Sequence, residues 1–185
     1  PIGSCGKTIT PLVSKIYNPN KNGIGEICVK GKNVMDGYYK MAEETRKVID
    51  SEGWLHTGDL GYIDDSGFIF ISGRSKNMIL SASGQNIYPE EIEAKLNSMP
   101  YVNESIIMEG NDFSILAYIS PDYDRLKRDK IDSDNISKIM QENIDNLNKM
   151  IPKYAKVTSI KISEEEFKKT STKKIKRRLY AGVTA

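Results

Sequence analysis

The sequence contains one histidine (His56), one tryptophan (Trp54) and two cysteines (Cys5 and Cys28). Each scarcity closes off some chemistry. A single histidine without clustered cysteines supplies neither a Ser-His-Asp triad nor a spaced zinc set, so no metal site is expected. Cys5 and Cys28 follow no disulfide pattern. No apolar run approaches the ~20 residues that a membrane helix needs. No stretch reads as a secretory leader, an internal repeat or a low-complexity segment. With 38% hydrophobic and 28% charged residues, the expectation is a globular, cytoplasmic protein of one domain, or of one domain plus part of another.

Charge is short in one place only. No acid follows Glu166, while seven Lys and Arg fall between Lys168 and Arg178. The rest of the chain holds 20 basic against 25 acidic residues, a net of −5. A solvated terminal segment is the plain reading of this run. A non-catalytic basic module for RNA or an acidic membrane surface is the other. No aromatic-studded basic sheet accompanies the run, so nucleic acid is not expected as a partner. Peripheral contact with a membrane is left open.

Residues 1–35 read as β structure. Leu12–Ile16 is strand-like, Asn18–Gly23 is a turn cluster, and Gly25–Lys30 alternates with Ile27 and Val29 on one face. A short helix is expected over Ala42–Ile49. The stretch from Gly53 to Glu93, GWLHTGDLGYIDDSGFIFISGRSKNMILSASGQNIYPEEIE, is the densest in signals. Thr57–Gly61 reads as a tight turn presenting the Asp59 carboxylate, and Asp64–Gly67 as a hairpin turn before a Phe68–Ile71 strand. Arg74 and Lys76 follow the strand, Ser81–Gln85 is a small-residue loop, and Pro89-Glu90-Glu91 opens a helix with Ile92, Leu96 and Met99 on one face. Strands are expected over Ser105–Met108 and Phe113–Ile119, antiparallel across Gly110–Asp112. Ile136, Ile139, Met140, Ile144, Leu147 and Ile151 trace one long amphipathic helix that Pro152 ends. A strand over Val157–Ile162, an exposed Lys168–Lys173 loop and a short helix over Ile175–Tyr180 complete an α+β reading.

The TGDLG, GRSK and GQNIYPEEIE segments, with KTSTKKIKRRLY near the end, occur in the order used by the adenylate-forming superfamily of acyl-CoA synthetases and adenylation domains. The resemblance runs from about Ser4 to Leu179, and the combination is most similar to bacterial long-chain fatty acid–CoA ligases. It implies that residues 1–73 end a large N-terminal domain as part of a distorted β-barrel, and that residues 74–185 form a small mobile α+β domain, with 74–77 as the boundary. The phosphate loop and the Thr–Glu pair that helps hold Mg-ATP would precede Pro1, so the chain is expected to be the C-terminal third or so of a longer enzyme.

Residue roles follow from the same resemblance. Asp59 would hold the ATP ribose; read alone, an aspartate between glycines caps its own turn. Arg74 would reach ribose and phosphate oxygens; alone, it is a surface ion pair of little energetic weight. Lys76 would be the hinge, where only a backbone rotation is needed. Ser83, Gly84 and Gln85 would border the pantetheine channel; alone, they are an ordinary glycine turn. Lys174 would stabilise charge building at the α-phosphate. Lys173 stands where the family pattern has glycine, and is the alternative catalytic lysine. His56 reads as structural. The implied reaction activates a fatty carboxylate as acyl-AMP with Mg-ATP, then transfers it to the thiol of coenzyme A. A carrier-protein thiol is the alternative acceptor.

Overall fold

The computed structural model describes residues 1–183. Two compact units divide the chain, Pro1–Asn77 and Met78 onward, and each is built around its own sheet.

The first unit is an antiparallel meander, open at its edges. Its strands β1 (Val13–Tyr17), β2 (Gly25–Lys30), β3 (Leu55–Ile63) and β4 (Ile69–Arg74) lie in sequence order. Turn chemistry sets the connections. Asp64 Oδ1 accepts the Ser66 and Phe68 backbone N–H groups at 3.0 and 2.8 Å, which closes the β3–β4 hairpin as an Asx turn with Gly67 at φ +83°. Helix α1 (Ala42–Val48) fills the long β2–β3 connection.

One expectation fails here. Thr57–Gly61 is not a turn; it lies inside β3. The glycines still mark irregular backbone. Gly58 has φ +73°, and the β3–β4 register shifts between Leu60 and Gly61, where an added Cβ would collide with the Phe70 carbonyl. A bulge bends and twists a strand without ending it, so two glycines that suggest a turn in sequence are absorbed into a long strand.

The second unit opens with a small hairpin, β5 (Ile79–Leu80) and β6 (Asn86–Ile87), followed by helix α2 (Pro89–Leu96). Pro89 sits at the helix start with Glu90 and Glu91 in the first turn, where a missing N–H is harmless and negative charge meets the positive end of the helix dipole. Strands β7 (Val102–Glu109) and β8 (Ile115–Pro121) pair antiparallel across Gly110–Phe113. Helices α3 (Tyr123–Arg128) and α4 (Ser133–Met150) then cross over to β9 (Ser159–Ile162), which runs parallel to β8. A parallel return needs such a long crossover. The α4 stripe buries Met140, Ile144 and Leu147 against Ile92 and Leu96 of α2 and Ile107, Ala117 and Ile119 of the sheet. Truncating one such fully enclosed leucine to alanine removes about 2–5 kcal/mol. Asn148 ties α4 to the chain entering β9, donating to the Val157 carbonyl at 2.8 Å and accepting its N–H at 2.9 Å.

The expected helix over Ile175–Tyr180 is reduced to a 3-10 turn at Arg177–Leu179. The reason is competition for backbone groups. Lys169 and Ile175 form a β-bridge, and the Lys176 N–H donates to the Lys168 carbonyl at 2.9 Å. The segment is therefore a tight hairpin that cannot also supply the first helical turn.

Candidate functional site

Asp59 on β3 and Arg74 at the end of β4 stand directly opposite each other in the ladder. Their side chains meet, Arg74 Nε to Asp59 Oδ1, at 2.7 Å. Asp59 is 26% exposed and Arg74 52%, so the pair faces solvent and remains open to a ligand. The backbone around it is held from β2. Thr57 Oγ1 donates to the Ile27 carbonyl at 2.7 Å and accepts the Asp59 N–H at 3.1 Å. Glu26 Oε1 accepts the Gly58 N–H at 2.9 Å.

Beside the pair lies a cleft of about 790 Å³, lined by Glu26, His56, Gly58, Arg74, Lys76 and Tyr38 among others. Lys76 lies in a 3-10 turn, Ser75–Asn77, at the end of the first unit. The structure thus brings Asp59, Arg74 and Lys76 into one neighbourhood, although Asp59 is not in the cleft lining.

Ser83, Gly84 and Gln85 and Lys174 belong to the second unit. Ser83, Gly84 and Gln85 form the β5–β6 connection. The Ser81 hydroxyl meets that of Ser83 at 3.0 Å and accepts the Gln85 N–H at 3.0 Å, and Gly84 takes φ +73°. Lys174 closes the Thr170–Lys174 turn, where Thr170 N–H donates to the Lys174 carbonyl at 2.8 Å. Lys173 has φ +60°, the left-handed conformation that glycine adopts without strain. That is the position where the family pattern carries glycine.

The basic tail is less free than its composition suggests. Lys169 Nζ pairs with Glu104 at 2.9 Å. Arg177 forms a two-pronged contact with Glu93, Nη1 to Oε1 at 2.8 Å and Nη2 to Oε2, while Glu93 Oε1 also accepts the Ile107 N–H at 2.7 Å. Burial pushes the Glu93 carboxyl up, against the opposing pull of Arg177 and the Ile107 N–H. Two of the seven tail cations therefore brace the Lys174 hairpin on the sheet and α2.

Spacing in the sequence missed one cluster. Glu26 and Cys28 project from β2 toward His56 on β3, and their ligand atoms all lie within 4.8 Å of one another. Only pairing of the two strands assembles the set, since Cys28 and His56 are register partners. No helix among the described residues is long and apolar enough to cross a membrane.

Residues 76–181 match the AMP-binding enzyme C-terminal domain. A long-chain-fatty-acid–CoA ligase of Gallus gallus is 40% identical over 63% of this chain and 15% of its own length. A 2-succinylbenzoate–CoA ligase of Bacillus cytotoxicus is 45% identical over 60% of this chain and 24% of its own. Among solved structures, the O-succinylbenzoate coenzyme A synthetase of Bacillus subtilis in complex with AMP is 28% identical, with a TM-score of 0.78 over 98% of this chain and 36% of that one. ATP-bound MatB from Rhodopseudomonas palustris is 26% identical, with a TM-score of 0.77 over 97% of this chain and 36% of that one. The chain spans a quarter or less of these two curated relatives, and it belongs to the AMP-binding, adenylate-forming enzymes as their C-terminal portion.

Proposed function

We propose that this chain is the C-terminal part of an ATP-dependent acid–CoA ligase that activates a fatty carboxylate as acyl-AMP and passes it to coenzyme A. The observation that carries the reading is the Asp59–Arg74 pair: a half-buried carboxylate beside a cationic fork at a strand edge. A carboxylate can accept from both hydroxyls of a ribose diol. Arg74 engages it through Nε, and a planar guanidinium offers further donors in the same fork for ribose and phosphate oxygens. Lys174, on its braced turn, supplies the mobile ammonium that offsets repulsion between carboxylate and triphosphate in adenylation. Lys76 is the hinge of the small domain. Ser83, Gly84 and Gln85, small and partly left-handed, suit close approach of the pantetheine arm in thioester formation. ATP with Mg²⁺ and coenzyme A are the implied cofactor and co-substrate. Long-chain fatty acids are the proposed acids on the motif combination; relatives named for 2-succinylbenzoate make a short aromatic acid the competing substrate.

The test is ATP–pyrophosphate exchange by the intact ligase, with palmitate and 2-succinylbenzoate as separate acids. Exchange dependent on palmitate is expected. Exchange with 2-succinylbenzoate alone would replace the acid, and exchange with neither would overturn the reading.

A further inference from the structure

We propose that Glu26, Cys28 and His56 form a binding site for a zinc-class divalent ion that ties β2 to β3. The inference is independent of the ligase reading. The donor set is thiolate, imidazole and carboxylate, which suits zinc or cobalt and disfavours magnesium and calcium, whose ligands are oxygens. A tetrahedral zinc with these ligands holds donor atoms roughly 3.4–3.6 Å apart. Cys28 Sγ and His56 Nδ1 are already 3.5 Å apart. Glu26 Oε2 is 2.7 Å from the same Nδ1, so that pair has to open by ~0.7 Å to exchange a hydrogen bond for two metal bonds. A small rotation of the carboxylate gives this while Oε1 stays on the Gly58 N–H, 2.9 Å away.

The outer contacts point the same way. Metal-bound histidines almost always donate their other ring N–H to a carboxylate, a backbone carbonyl or water. His56 Nε2 lies 3.7 Å from Asp50 Oδ2. Asp50 is itself fixed, its Oδ1 accepting the Glu52 and Trp54 N–H groups at 2.9 Å each. Glu26, Asp50 and a Cys28 thiolate carry three negative charges against the positive charge of Lys15, which acts on Cys28 and Asp50; the remaining −2 matches a divalent ion. Cys28 is fully buried, and a thiol that takes up a metal ion exchanges its proton for the cation. Binding releases that proton to solvent, and a metal ion on His56 Nδ1 requires the ring proton on Nε2, the nitrogen nearer Asp50. Glu26 and His56 keep side-chain exposures of 22% each and line the cleft, which gives the ion an entry. Three protein ligands leave the fourth position to water.

The experiment is a Co²⁺ titration of the reduced, chelator-treated intact protein, its fold checked by circular dichroism. A thiolate-to-cobalt charge-transfer band saturating at one ion per chain is expected, displaced by Zn²⁺ and unaffected by Mg²⁺. Cys5 is the exposed control thiol: Cys5→Ser should keep the band and Cys28→Ser should lose it. Since Cys28 is buried and its replacement can disturb folding, His56→Gln and Asp50→Asn, checked by circular dichroism, provide the second arm. The first should abolish the band and the second should weaken binding by roughly 10–100-fold. Absence of the band in the unmodified chain, a band that follows Cys5, or a band that survives His56→Gln overturns the proposal.

Discussion

Arg177 grips Glu93 with both terminal nitrogens of its guanidinium, 84 residues away in sequence. The contact fastens the hairpin that carries Lys174 to helix α2. Removing one partner of a buried pair leaves an uncompensated charge, so Arg177→Ala should destabilise the second unit by about 3–5 kcal/mol, read by urea unfolding. The pH dependence has a definite sign. Glu93 is held up by burial in the folded chain, so the folded state keeps its proton at pH values where the unfolded chain has lost it. Stability from this group is then full below the unfolded value and falls as pH rises through the folded one. Glu93→Gln removes that slope, and the deficit of the variant should shrink as pH rises from 4 to 7. A deficit that widens over that range would mean that the ion pair with Arg177 outweighs burial.

Asp59→Ala should raise the KM for ATP in the intact ligase. The carboxylate is expected to accept from two ribose hydroxyls, each bond to an ionised acceptor contributing on the order of 1–3 kcal/mol. A 2′,3′-dideoxy nucleotide should lose much less than ATP does. Equal losses for the two nucleotides would make Asp59 only a partner for Arg74.

Lys174→Ala should slow acyl-AMP formation by roughly 10²–10³-fold, the scale for one preorganised charge stabiliser, with little effect on thioester formation from supplied acyl-AMP. Lys173→Gly is the informative companion. Its φ of +60° suits glycine, so the variant should keep its stability within about 1 kcal/mol and its adenylation rate. A larger adenylation defect in Lys173→Gly than in Lys174→Ala would transfer the role to Lys173.

Lys76→Pro tests the hinge. Proline fixes φ near −65° and biases Ser75 away from the α region, so only one of two domain arrangements should remain comfortable. About 1.4 kcal/mol of bias between them is tenfold in rate. Adenylation and thioester formation should therefore fall unequally, with Lys76→Ala as control. Equal loss in both half-reactions, or loss in neither, would place the hinge elsewhere.

Local chemistry in the sequence determined β1, β2, β4, α1, the start of α2, the antiparallel β7–β8 pair and the long α4 stripe with its end before Pro152, because periodicity and turn residues act over a few positions; it left β3, the β5–β6 hairpin and α3 unread. It also singled out Asp59 and Arg74, through motifs that are contiguous in the chain. The tertiary structure decided the rest. Thr57–Gly61 became part of a bulged strand because β2 and β4 supply partners on both sides. The last segment became a hairpin because Lys169 and Ile175 pair, which sets Arg177, first residue of the short 3-10 turn, against Glu93. Glu26, Cys28 and His56 carry no recognisable spacing, and only the β2–β3 register brings their donor atoms together. Contacts between residues tens of positions apart depend on which strands pair and in what register, and a slip of one residue would turn every one of these side chains to the other face.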